Sequence, residues 1–401
     1  MKKTLFTTTA LGVFAASSAF AGAPTVTVGG YADFQVGSAD QESIYESANF
    51  SRSTHTATDT QINIDVEGKT DSGLGYGAHI ELEADVNRDS NTAGNNNAEQ
   101  GYIFVESGFG RVEAGATGDA GNALKVDAAS FARATGGIGG DFYKYVDLSS
   151  SNAAANNADY YILPGLPSAV GLPGEVAKNN TGAGSIYKDR AYSNKISYYT
   201  PRVQGVQLGV SFTPDQGERG TSSGFSGNAN NGGIEDVWNV GLNYKGQYND
   251  LGVEAAITAE WGDAETNTTA ANDGLEAYSA GLQLDYAGFT LGGSYGAADE
   301  FGSQTSFGEE LSYYTAGAAY EFGPFAASVT YMNSKIESQG AANAPDSEFN
   351  NLSVGADYKL APGLTPYVEV SFFETDDNAA DTATTIDNEG TVFIVGTQLN
   401  F

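Results

Sequence analysis

The chain has no cysteine and only two histidines, His55 and His79. That rules out a disulfide scaffold and leaves no zinc site built from the usual nitrogen and sulfur donors. Basic residues are also scarce: 18 Lys and Arg stand against 50 Asp and Glu, a formal net charge of −32. Such a charge repels nucleic acid, which is excluded as a partner, and favours cations, whether bound or passing. Long apolar runs are missing too. Beyond the first residues, no stretch approaches the ~20 apolar residues of a membrane-spanning helix. A hydrolase needs a nucleophile beside a base, or carboxylates with histidine. His55 has Asp59 nearby, but neither an activated serine nor an oxyanion site is visible, so an enzyme is not expected.

What is present begins with a targeting segment. Lys2 and Lys3 precede an apolar stretch from Leu5 to Ala16, and Ala19-Phe20-Ala21 suits a small-residue cleavage site. This is the pattern of a secretory signal peptide, so residues 1–21 are expected to be removed and the mature chain to start at Gly22. From 22 to 401 no linker or shift in composition divides the chain, and a single large domain is the simpler reading. An exported chain without disulfides needs another source of stability, which a closed, fully hydrogen-bonded barrel supplies.

Apolar and polar residues alternate with period 2 along the mature chain, the mark of strands with two unlike faces. Val26, Val28, Ala32, Phe34 and Val36 point one way, and Tyr31, Asp33 and Gln35 the other. Tyr76, Ala78, Ile80, Leu82 and Ala84 oppose His79, Glu81, Glu83 and Asp85. Leu251, Val253, Ala255, Ile257, Ala259 and Trp261 oppose Glu254, Thr258 and Glu260. The stretch Gln100–Ser107 is ambiguous in parity. Short turns, such as Ala287–Gly288 and Gly323–Pro324, alternate with long polar connections near 38–57, 87–98, 118–191, 215–235, 262–274, 299–311, 336–347 and 375–389. Counting between them predicts an all-β fold: a transmembrane antiparallel barrel of about 16 strands, with short periplasmic turns and long extracellular loops. A soluble sandwich would also alternate, but it hides its apolar faces, whereas here the reverse faces carry the charge. Aromatics at strand ends, as in Tyr278/Tyr286 and Trp238/Tyr244, suit interfacial girdles. A barrel this wide leaves an aqueous channel.

Several stretches carry a resemblance. Thr27-Val28-Gly29-Gly30-Tyr31, Gly108-Phe109-Gly110-Arg111-Val112 with Gly115, Asn194-Lys195-Ile196-Ser197-Tyr198-Tyr199-Thr200-Pro201 with Gly205, and the terminal Phe401 come in an order that resembles Gram-negative general porins of the trimeric, sixteen-stranded, alphaproteobacterial type. The resemblance implies an outer-membrane channel for small hydrophilic solutes, a homotrimer, and Phe401 as the signal to the barrel-assembly machinery. Small outward residues on the first strands, Val112, Ala114 and Ala116 among them, also suit a subunit contact. The resemblance implies that the third connection, 118–191, folds into the lumen and narrows it, with Gly139-Gly140-Asp141 similar to the constriction segment. A second hairpin over Phe142–Leu163 would give eighteen strands, although Pro164, Pro167 and Pro173 argue against it.

The expected lining of the pore includes Asp33, Asp65, His79, Glu81, Glu83, Asp85, Arg111, Asp119, Asp127, Asp141, Lys195 and Glu254. Such porins set basic residues on the wall against acids on the loop. Here Arg111, Lys245 and Lys359 map near the periplasmic rim, and only Lys195 and His79 offer nitrogen near mid-wall. With few cations opposing the acids, a passive, cation-preferring pore is the expectation. No cofactor is expected. Acids in the last connection, notably Asp376, Asp377 and Asp381, are hard donors suited to loosely held Ca²⁺ or Mg²⁺ and to bridging outer-membrane lipopolysaccharide, though a hydrated charge run explains them as well. A sugar-specific channel stays open as an alternative, with Tyr31, Tyr199, Tyr313, Tyr367 and Phe373 as a track.

Overall fold

The computed structural model describes residues 23–42, 54–84, 98–146, 160–170, 191–220, 234–265, 273–301, 309–338, 346–377 and 387–401. Residues 1–22, which hold the expected signal peptide, lie outside that set, as do Asp85 and Asp381.

Sixteen strands make one closed antiparallel barrel, each paired with its neighbours in sequence and the last with the first. They are β1 (Thr25–Gln41), β2 (Thr54–Lys69), β3 (Gly75–Glu83), β4 (Ala98–Ser107), β5 (Gly110–Ala116), β6 (Asn194–Tyr199), β7 (Val206–Asp215) and β8 (Ile234–Tyr248). The second half is β9 (Leu251–Ala264), β10 (Leu275–Tyr286), β11 (Phe289–Phe301), β12 (Glu309–Phe322), β13 (Phe325–Ser338), β14 (Ser347–Tyr358), β15 (Leu364–Asp377) and β16 (Asn388–Asn400). Closure at sixteen settles the strand number. Within the third connection the described residues form short helical turns, not a further strand pair.

Two solvents dictate this architecture. Lipid demands apolar side chains outside and leaves no backbone polar group unpaired, and closure meets the second demand. Phe34, Ile103, Leu242 and Ile257 stand on the outer surface at 53%, 65%, 45% and 61% exposure. On the reverse faces Gln35, Asn239, Glu260, Ser353 and Glu369 are buried. A soluble sandwich would invert that distribution. Outer aromatics pair across strands, as in Phe289 against Tyr320 (4.2 Å between ring centres) and Phe322 against Phe325 (5.4 Å). The turn between β10 and β11 places Ala287 and Gly288 at φ 51° and 84°, the two positive values that a tight primed hairpin needs.

The parity of β4 resolves with Ile103 and Val105 outward and Phe104 buried inward. Its sequence is ambiguous because Phe104 faces the water side, where the Arg111 guanidinium lies over its ring at 3.7 Å.

Candidate functional site

The third connection enters the barrel and follows its inner wall. A short helix, α1 (Ala120–Leu124), sits on β6–β9. Tight turns at Ala128–Phe131, Gly137–Gly139 and Phe142–Lys144 then sit on β11–β13, β13–β15 and β16. The returning limb carries α2 (Pro167–Val170). The wall makes room by giving up side chains. A Cβ on Gly281 would lie 1.8 Å from the Val126 carbonyl oxygen, and one on Gly355 would lie 2.8 Å from that of Arg133. Above this track the wall turns apolar: Phe349 stacks on Phe142 of the loop at 6.0 Å, and Tyr313 on Tyr161 at 5.7 Å. The inside of the barrel therefore holds a hydrophobic core of its own, formed by wall and loop together.

Two wall carboxylates grip the loop backbone. Glu369 of β15 accepts from Thr135 Oγ1 (2.6 Å), Thr135 N (3.2 Å) and Gly137 N (3.0 Å). Glu260 of β9 accepts from Ser168 N at 3.0 Å, from Asn239 Nδ2 at 2.7 Å and from the Ser168 hydroxyl. At the seam where β1 meets β16, Asp141 accepts from Gln35 Nε2 of β1 at 2.7 Å and lies 3.2 Å from Lys144 Nζ. Lys144 also reaches Asp59 of β2 at 3.1 Å. Burial works against its charge, but Asp141 and Asp59 outweigh burial and hold the ammonium well above the usual lysine range.

The other charges described on the loop are held within it or by the adjoining wall. Asp119 caps α1 by accepting from Asn122 N at 2.7 Å, and Asp127 caps the next turn by accepting from Ser130 N at 3.0 Å. Lys125 pairs with Asp127 at 2.9 Å, and Arg133 pairs with Glu321 of β12. Lys195 is buried, with Nζ donating to the carbonyls of Thr117 and Ala191 (2.9 Å to the latter), so it ties the two ends of the loop together.

The arc β2–β5 faces this loop. His79 on β3 lies between Asp65 of β2, 2.7 Å from Nδ1, and Glu81, 3.7 Å from Nε2. Gln100 of β4 donates to Glu81 at 2.6 Å. Carboxylate oxygens of Glu81, Glu83 and Glu99 lie within 4.8 Å of one another. Arg111 sits by the short turn between Glu113 (2.6 Å) and Glu106 (2.9 Å). Glu254 pairs with Lys245 at 2.9 Å near another short turn, and Asp33 accepts from Tyr367 OH at 2.7 Å.

A wide closed barrel with an inward loop and an acid arc opposite is one established architecture. A family model described as Gram-negative porin matches residues 7–378. The chain belongs to the Gram-negative porin family. Curated relatives include uncharacterised proteins of Rickettsia bellii, 26% identical over 347 residues (75% of this chain, 76% of the relative), and of Rickettsia conorii, 26% identical over 387 residues (83% and 82%). Among solved structures, an anion-selective porin from Comamonas acidovorans superposes with TM-score 0.60 at 15% identity, covering 94% of this chain and all of that one (100%). The trimer form of in-vitro folded OmpT, an outer-membrane protein of Vibrio cholerae, gives TM-score 0.57 at 12% identity with coverage of 94% and 100%. At such identities the structural likeness concerns the fold.

In this porin the sequence-expected residues divide into groups. Asp65, His79, Glu81 and Glu83 come together on the facing arc; Asp119 and Asp127 are loop caps; Arg111 and Glu254 stand by the short turns. Asp376 lies at the end of β15 opposite Glu348, and the side chain of Asp377 is outside the described set. The aromatic track has its side chains covered: Tyr31, Tyr199, Tyr313, Tyr367 and Phe373 are at most 9% exposed. Residues that sequence reasoning passed over are Glu99, Lys125, Arg133, Lys144 and Gln35. A lone basic residue in a long connection gives no hint of its partner. The one available signal was the run of inward apolar residues near the long connections, such as Met332, Phe349, Phe373 and Ile394, which break the polar face.

Proposed function

We propose that the chain is an outer-membrane porin through which small hydrophilic solutes diffuse passively, with cations favoured over anions. The sorting of charge inside the barrel carries this reading. The described loop cations Lys125, Arg133 and Lys144 are each held by a carboxylate, and Lys195 by carbonyls. On the facing arc Asp65, Glu81, Glu83 and Glu99 outnumber the described basic residues Lys69, at the end of β2, and Arg111, which itself sits between two acids. Carboxylates lining a constriction raise the local concentration of cations and repel anions. The Comamonas acidovorans neighbour is an anion-selective porin, so the fold leaves the sign of selectivity to the side chains. Zero-current potential across a planar bilayer in a KCl gradient tests the reading: the expected sign is that of potassium permeation, and the opposite sign refutes it.

Several features complete the proposal. The charge pattern and the wide closed barrel favour a channel over an enzyme. Export uses residues 1–21, leaving Gly22 as the first residue. Three copies associate through the early strands, Phe401 addresses the assembly machinery, and acids such as Asp376 bridge divalent cations to lipopolysaccharide. N-terminal sequencing checks the processing site, and the mass of the purified protein in detergent checks the three-copy assembly.

A further inference from the structure

His79 lies on β3 of the facing arc, with the second histidine, His55, near the start of β2 opposite Gly37, and the surroundings of His79 are almost wholly acidic. Opposite it on β2 stands Asp65, with Oδ1 2.7 Å from Nδ1; on its own strand Glu81 lies 3.7 Å from Nε2. Opposite it on β4 stands Tyr102, its ring 5.3 Å away and tilted by 38°. Arg111 and Glu113, one strand further, are paired with each other at 2.6 Å. A neutral imidazole carries one N–H and can serve one of the two carboxylates, while the imidazolium serves both. Imidazole is also the side chain whose charge changes in the physiological range. We propose that His79 is a specificity-determining residue of the pore, whose protonation cancels part of the carboxylate charge on the β2–β5 wall and so lowers the preference for cations.

This inference rests on the cation-preferring reading but has its own readout. A unit charge about 8 Å from the ion path, in salt with a screening length of about 8 Å, changes the local concentration of each ion roughly 1.5-fold, in opposite senses for cation and anion. The potassium-to-chloride permeability ratio of the wild type should therefore fall about two-fold between pH 8.5 and pH 5.5, beyond any fall shared with His79→Gln. Shared loss reflects the carboxylates themselves, so the difference between the two proteins isolates the imidazole. His79→Arg keeps donors toward Asp65 and Glu81 and should hold the ratio near the wild type's acid value at every pH. The inference is overturned if wild type and His79→Gln change in parallel, or if His79→Arg tracks the alkaline wild type. An anion-preferring zero-current potential throughout would sink the cation reading, while the difference between wild type and His79→Gln would still decide the role of the imidazole.

Discussion

Replacing Glu369 with glutamine keeps the size of the side chain and removes its charge. In the native barrel this carboxylate accepts from Thr135 Oγ1 and from the backbone N–H groups of Thr135 and Gly137. Glutamine can turn its one oxygen to the two backbone N–H groups and its NH₂ to the Thr135 hydroxyl, so the three contacts are kept but none of them is to a charge. A hydrogen bond to a charged group contributes about 1.5–3 kcal/mol against about 0.5–1.5 for a neutral one, so converting three of them destabilises the docked loop by about 3–4 kcal/mol. Each 1.4 kcal/mol is a factor of ten, so the population with the turn off the wall rises by roughly two to three orders of magnitude. The turn sits between β13 and β15, and its release widens the passage. Single-channel recording of Glu369→Gln should show larger mean conductance and frequent steps between levels. Liposome swelling should admit larger solutes, with an unchanged strand signal in circular dichroism. Wild-type conductance, noise and size limit in a correctly folded variant would refute the claim that this carboxylate holds the loop.

Other expectations follow from the same geometry. Gly281→Ala places a methyl 1.8 Å from the Val126 carbonyl and forces the loop off its seat, at a cost of about 1–3 kcal/mol in thermal unfolding; Gly101→Ala, with nothing within 4 Å, should stay within about 0.5 kcal/mol of wild type. Lys144 has its folded-state pKa raised above the unfolded value near 10.4, so its stabilisation is fully present below pH ~10 and is lost only as pH climbs through the higher folded value. Thermal stability should accordingly show no Lys144-dependent change between pH 6 and 9, and Lys144→Met should lower Tm by a similar amount across that window.

The sixteen strands were legible because two solvents impose opposite demands on alternate residues, and Val26, Phe34, Ile257 and Leu282 obey them without exception. Closure followed from the even count. The seating of the loop was not legible. Asp119, Asp127 and Asp141 read as pore charge, yet two of them cap helical turns and the third meets Gln35 and Lys144; capping looks in sequence like any other acid in a loop. Lys195 read as a wall cation, and its ammonium is covered by two carbonyls, of Thr117 and Ala191, that stand at the two ends of the long connection before it. Glu260 read as one acid among many on the inner face, and nothing in the alternation sets Glu369 apart either. What distinguishes them is the loop backbone above, whose path depends on contacts more than ninety residues apart in sequence.

The loop leaves the wall after β5, and its described residues reach the seam, touching β16 through Phe142–Lys144 and β1 through Gln35. The two terminal strands are thus bolted together from within by Asp141 and the turn that follows it. Opening that junction must also break these inner contacts, so the closing line of the cylinder is reinforced from its water side as well as by its own ladder.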